Sequence, residues 1–153
     1  MNKPHILFLC TGNSCRSQMA EGWARALLAD FGQFYSAGIE QHGLNPNAVK
    51  VMAEAGVDIS SHTSKTLSDL AGIELDLVIT VCGHADETCP LLSVRTRKLH
   101  VGFDDPPKLA RTAASEEEAL NHYRRVRDEI RDFVSSLPAR YAGLSGVDGG
   151  QPC

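Results

Sequence analysis

The chain has 153 residues, 42% hydrophobic and 22% charged, with 15 Lys plus Arg against 19 Asp plus Glu. These are the proportions of one soluble globular domain with an ordinary core. A formal charge of −4 excludes a general attraction for nucleic acid or acidic membranes, so an anionic ligand needs a locally positive pocket.

His5 to Cys10 is an apolar run ending in a Gly/Asn/Ser cluster, the pattern of a buried parallel strand. It is far too short for a signal segment or a membrane span, and a cytoplasmic location is expected. Met19, Ala20, Trp23 and Leu27 recur at helical spacing between Ser17 and about Phe31, with Trp23 and Leu27 expected in the core. Gln33 to Ala37 reads as a second strand. Asn45-Pro46 is an N-cap followed by proline at the first helical position, and Gly56 closes that helix.

Leu75 to Val81 is a strong strand signal, Gly83 to Pro90 is partly helical, and Lys98 to Phe103 is a fourth strand. A long helix starts at Ser115, where Glu118 completes a capping box, and runs to about Leu137. Residues 143–153, rich in Gly and polar groups, read as a flexible tail after a single catalytic domain over 1–142. Strands alternating with helices predict an α/β fold, a doubly wound four-stranded parallel sheet flanked by helices. Ligands of such sheets sit beyond the carboxyl ends of the strands, where Cys10, Cys82 and Asp105 all fall.

The segment Cys10-Thr11-Gly12-Asn13-Ser14-Cys15-Arg16-Ser17 is a C-x5-R-S pattern between a strand and a helix. A loop of this length curls so that its amides converge on one tetrahedral anion, helped by the helix N-terminus. Gly12 and Asn13 tolerate the positive φ that such a curl demands. Arg16 offers a bidentate guanidinium, and the same field favours a nucleophilic sulfur at Cys10, to which Ser17 could donate. A buried strand-end cysteine is the bland alternative for Cys10. Asp105, held by Pro106, is the expected general acid, although Asp-Pro is also an ordinary turn.

Five cysteines in a reducing compartment point to metal binding or redox chemistry in preference to structural disulfides. Cys82 and Cys89 could be a redox pair, zinc ligands with His84 and His100, or chance core residues. Their spacing is wider than the usual zinc knuckle, and no resident metal is expected. If 82–89 were helical, the two α-carbons would lie ~10.5 Å apart. A disulfide needs about 7 Å or less, so this segment would have to change shape to close one.

The C-T-G-N-S-C-R-S loop with the later D-D-P resembles the low-molecular-weight tyrosine phosphatase fold, over roughly Lys3 to Leu137. With Cys82 and Cys89 added, the chain resembles the thioredoxin-coupled arsenate reductases of that fold. The resemblance implies arsenate as substrate and Cys10 as nucleophile. It implies a relay through Cys82 and Cys89, with electrons from thioredoxin, no bound cofactor and a monomer. A tyrosine phosphatase using Cys10, Arg16 and Asp105 is the alternative. Against it, Pro107 stands where an aromatic ring could stack on phosphotyrosine.

In some related arsenate reductases, positions matching Asn13, Glu21 and Ser36 help hold potassium, with an acid at the position of Lys65. A lysine there would repel a bound cation; it could itself fill the site and pair with Glu21, which makes potassium-independent activity the expectation, or stand as a solvated surface charge. Cys15 is expected to support the loop, Cys153 to stand apart, and His42 and His62 to be structural or loop-orienting. The Arg124, Arg125, Arg127 and Arg131 set, interleaved with Asp128, Glu129 and Asp132, reads as a solvated helix face.

Overall fold

The computed structural model describes residues 3–88 and 95–145. Four strands, β1 (His5–Cys10), β2 (Gln33–Gly38), β3 (Leu77–Thr80) and β4 (Arg97–His100), form one parallel sheet in the order β2-β1-β3-β4. The helices are α1 (Arg16–Leu27), α2 (Pro46–Glu54), α3 (Gly83–Thr88), α4 (Pro106–Ala110), α5 (Glu116–Ser135) and α6 (Leu137–Ser145). This is the α/β, four-stranded parallel architecture that the sequence pattern predicts.

β1 is the central strand, and Ile6, Leu7, Phe8 and Leu9 are fully buried because both faces are covered. Removing a ring such as Phe8, which lies against Phe34, would cost about 3–5 kcal/mol. β2 pairs with one edge of β1 and β3 with the other, so the strand order reverses between β1 and β3. That reversal opens a crevice at the carboxyl ends of these two strands, the usual ligand position in such sheets. Cys10 ends β1, and Cys82 follows β3 by two residues.

Several boundaries differ from the sequence expectation. α1 ends at Leu27 because Leu28 leaves helical geometry and the chain turns through Gly32 to begin pairing, Gln33 N–H donating to Pro4 O at 2.9 Å. Leu27 is therefore 48% exposed, and Leu28 and Phe31 pack against the core in its place. The ladder bonds of β4 thin out after His100, although Val101 and Phe103 still donate to Thr80 and Val81 carbonyls. The C-terminal helix breaks into α5 and α6 at Ser136, since Pro138 has no N–H to continue the ladder.

α2 starts as expected, Asn45 Oδ1 accepting from Asn47 and Ala48 N–H. At α5, Ser115 caps Glu118 N–H, but the Glu118 carboxylate reaches back to Ala114 N–H, one residue beyond the expected box. Residues 143–145, expected in the tail, belong to α6, while 146–153, Cys153 among them, lie outside the described residues.

Candidate active site

The loop from Cys10 to Ser17 is shaped by a strap, residues 38–45, that runs beside it. Ile39, Glu40 and His42 N–H donate to the Cys10, Thr11 and Gly12 carbonyls at 3.1, 2.8 and 3.0 Å, and Asn45 N–H donates to Ser14 O at 3.0 Å. Gln18 Nε2 takes the Asn13 carbonyl at 3.1 Å, and Ser64 Oγ adds a second bond to Gly12 O. In a trans peptide the N–H points opposite to the carbonyl of the same unit. With these carbonyls committed outward, the amides of residues 11–15 turn toward the loop's own centre and form an anion-binding concavity.

Asn13 supplies the tight curl, with φ 48°. Gly12 is not at positive φ; its requirement is steric. A Cβ on Gly12 would lie 2.3 Å from His42 Nδ1, because the imidazole rests directly on the loop backbone. Gly38 is needed for the same reason, since a Cβ there would stand 2.6 Å from Asn13 N. The strap carries no motif of its own and is not legible in the sequence, and neither is the role of Gln18.

Cys10 Sγ is buried at the base of the cleft, 2.8 Å from Ser17 Oγ. Asn13 Nδ2 donates to the same hydroxyl at 2.9 Å. Arg16 donates from Nη1 to Phe103 O at 2.9 Å, and its Nη2 lies 3.6 Å from Asp105 Oδ1. The loop and the Asp-Pro turn, far apart in sequence, are thus brought to one rim. Cys15 is buried beside them. Burial, reinforced by the neighbouring Cys10 sulfur, pushes its thiol well above the ordinary cysteine value and leaves it a neutral, supporting group.

The cleft has a volume of ≈ 340 Å³ and is lined by Cys10, Arg16 and Asp105 with Pro107, His42 and Arg111 at its lip. A larger hollow of ≈ 650 Å³, lined by Lys3, His5 and Tyr141, opens at the other end of the sheet, away from the strand carboxyl ends.

Cys82 enters the same rim from β3. Its Sγ is 3.3 Å from Thr11 Oγ1, and it accepts from Ala85 N–H at 3.4 Å. Cys82 therefore stands at the N-terminus of α3, its sulfur hydrogen-bonded to the first turn. Cys89 lies outside the described residues. Cys10, Cys15 and Cys82 are free thiols. Among the described residues no three His, Cys, Asp or Glu side chains gather as a metal-binding set, and His100 Nδ1 instead faces Thr80 Oγ1 at 2.9 Å.

A pairing of Lys65 with Glu21 is not what the structure holds. Glu21 receives Ser36 Oγ on one oxygen and Arg25 Nε on the other, at 2.5 and 2.7 Å. Lys65 turns its ammonium to Thr63 O at 2.8 Å, and its backbone N–H donates to Asn13 Oδ1 at 2.7 Å. Arg25 wins because it sits one helical turn after Glu21 on α1, within easy reach. His62 continues the network, its Nδ1 lying 3.1 Å from Gln18 Oε1. Burial pulls this imidazole below the ordinary histidine value despite the opposing field of Glu21.

Residues 5–142 match the low molecular weight phosphotyrosine protein phosphatase family. The chain belongs to that family. Within this phosphatase family the chain is 55% identical to the arsenate reductase of Halalkalibacterium halodurans over 137 residues, covering 90% of this chain and 96% of the relative. It is 54% identical to the arsenate reductase of Bacillus subtilis over 130 residues, covering 85% and 91%. A solved structure of an arsenate reductase in the phosphate binding state superposes with a TM-score of 0.71 at 31% identity, covering 90% of this chain and 98% of that one. A low molecular weight protein tyrosine phosphatase from T. tengcongensis superposes with a TM-score of 0.67 at 26% identity, covering 90% and 99%. The fold is therefore shared by an arsenate reductase and a tyrosine phosphatase alike.

Proposed function

We propose that this protein reduces arsenate to arsenite through a relay of Cys10, Cys82 and Cys89 that thioredoxin regenerates. The observation that carries the reading is the second thiol at the oxyanion rim: Cys82 Sγ, 3.3 Å from Thr11 Oγ1 of the loop itself. A phosphatase of this family needs Cys10, Arg16 and Asp105 but has no use for a second sulfur there. Identity of 55% to a curated arsenate reductase supports the same choice.

Arsenate sits on the loop amides and Arg16, and the Cys10 thiolate attacks arsenic. One arsenate oxygen leaves as water after taking a proton from Asp105. The Cys82 thiolate then attacks Cys10 Sγ. The sulfur–arsenic bond breaks, its electron pair stays on arsenic, and As(V) leaves as As(III) arsenite while Cys10 and Cys82 join in a disulfide. Attack by Cys89 on Cys82 frees Cys10, and the dithiol of thioredoxin supplies the two electrons that reduce the Cys82–Cys89 bond. No bound organic cofactor is required, and the reaction suits a monomer in a reducing cytoplasm.

The test is arsenate-dependent NADPH oxidation with thioredoxin and thioredoxin reductase, comparing wild type with Cys89→Ser. Sustained turnover in wild type and a stall after one equivalent in the variant are expected. If neither consumes NADPH and both hydrolyse an aryl phosphate equally, the chain is a phosphatase.

A further inference from the structure

The charges lining the active-site cleft do not balance without Arg111. With Asp105 protonated for its role as acid, Arg16 alone is formally charged in the lining apart from Arg111, one positive charge short of a tetrahedral dianion. The loop amides offer dipoles only. Within a chain of net charge −4, a dianion approaching this cleft needs at least one uncommitted cation.

Arg111 meets that need. It is the residue capping α4 and retains helical backbone angles, its N–H donating to Lys108 O. Pro107 and Arg111 are four residues apart, so they fall on one face of this short helix, and both line the cleft. The turn that places the acid Asp105 thereby also places Arg111. The Arg111 side chain is exposed and has no hydrogen-bond or ion-pair partner among the described residues. The other arginines of this region are committed: Arg16 to Phe103 O and Asp105, Arg125 to Asp104 and Glu129. His42, which also lines the cleft, is held by Glu40 at 2.6 Å.

We infer that Arg111 is a substrate-recognition residue, the cation at the cleft mouth that draws in a tetrahedral dianion and meets its outward-facing oxygen once the loop and Arg16 hold the others. The inference deepens the proposed function by assigning the outer half of the oxyanion site, and its test does not depend on the thiol relay.

The experiment is calorimetric titration of inorganic phosphate into the reduced wild type, Arg111→Ala and Arg111→Lys at low and high ionic strength. Arg111→Ala should bind about three- to ten-fold more weakly, between the effect of an exposed ion pair and that of a charge-assisted hydrogen bond. Arg111→Lys should recover most of the loss, because a point charge suffices for attraction. The wild type should lose affinity with salt more steeply than Arg111→Ala, a response that a merely structural residue would not give. In the reductase assay the arsenate KM should rise more than kcat falls. Equal phosphate affinity and equal salt dependence in wild type and Arg111→Ala would overturn the inference while leaving the thiol relay standing. No phosphate binding by the wild type would overturn it together with the oxyanion-cleft reading.

Discussion

Ser17 Oγ lies 2.8 Å from Cys10 Sγ while accepting a hydrogen bond from Asn13 Nδ2 at 2.9 Å. A hydroxyl has one proton, and with Asn13 donating to its oxygen that proton is directed at the sulfur. The Asn13 amide cannot flip, since its Oδ1 is fixed by Lys65 N–H and Gln18 Nε2 at 2.7 and 3.1 Å. The chain Lys65–Asn13–Ser17–Cys10 thus orients a donor toward the nucleophile before any substrate arrives.

Replacing Ser17 by Ala removes that donor and leaves Asn13 Nδ2 buried without its acceptor. A hydrogen bond to a charged group is worth about 1.5–3 kcal/mol, so alkylation of Cys10 by iodoacetamide at pH 7 should slow by roughly ten-fold or more. Equal alkylation rates in wild type and Ser17→Ala, read by peptide mass spectrometry, would show that the serine does not act on the sulfur.

Gly12→Ala forces a methyl group into the imidazole of His42, 2.3 Å away. The loop or the ring must move, and either shift spoils amides aimed at one centre. Phosphate binding should weaken by about ten-fold, as expected for a displaced donor set. In the double variant with His42→Ala the obstacle is gone, and part of the affinity should return. Strict additivity of the two single effects would mean that the ring does not set the glycine requirement.

The loop from Cys10 to Ser17, the turn at Asp105 and the alternation of strands with helices were legible because each rests on local chemistry: a C-x5-R spacing, an Asp-Pro pair, apolar runs. What the sequence concealed is non-local. Loop curvature alone makes Gly12 a conformational glycine, but its neighbour is His42, thirty residues away, and only folding reveals the contact. The sequence leaves Lys65 free to pair with Glu21 or to face solvent, whereas Arg25 lies one turn along the same helix and reaches Glu21 first. Leu27 fits a helical apolar stripe, yet the helix ends under it. The strap 38–45, which turns the loop carbonyls outward, acts through backbone N–H groups and so leaves no side-chain signature.

Cys15 sits inside the nucleophile loop but is held as a neutral thiol by burial and by the Cys10 sulfur. Limited iodoacetamide treatment of the folded, reduced protein at pH 8 should modify Cys10 and leave Cys15 unlabelled. Denaturation before labelling should expose both. Modification of Cys15 at a rate comparable to Cys10 in the native state would contradict this division between reactive and supporting thiols.

Helix α3 is six residues long, too short to persist without tethers. Lys98 of β4 supplies one, its ammonium contacting Asp86 Oδ1 at 2.5 Å and Asp86 O at 3.1 Å, while Thr80 Oγ1 also bonds the carboxylate. The Lys98 hydrogen bond holds the Asp86 carboxyl below its ordinary value of 3.8. A depressed carboxyl contributes stability above its unfolded-state value and loses it as pH falls through the folded one. Lys98→Met should therefore lower stability by about 1 kcal/mol near pH 7. The difference from wild type should begin to shrink as the pH drops below 3.8 and disappear once it has passed the lower folded-state value. Urea titrations at a series of pH values from 7 into the acid range measure it; a gap that does not change with pH would assign the effect to side-chain packing.

The cation-site residues predict how the protein responds to potassium. Both Glu21 oxygens are occupied, by Ser36 and by the Arg25 guanidinium, and Asn13 Oδ1 already accepts two N–H groups. A potassium ion would have to displace Arg25 and approach while Lys65 stands nearby with its ammonium on Thr63 O. Oxygen ligands committed to donors, beside two fixed positive charges, are a poor coordination shell for a cation. Turnover and melting temperature should therefore be the same in sodium and potassium chloride at equal ionic strength. Arg25→Ala should free one Glu21 oxygen and make the protein sensitive to the choice of cation. A several-fold rise in wild-type turnover with potassium would mean that Arg25 yields its place to the ion.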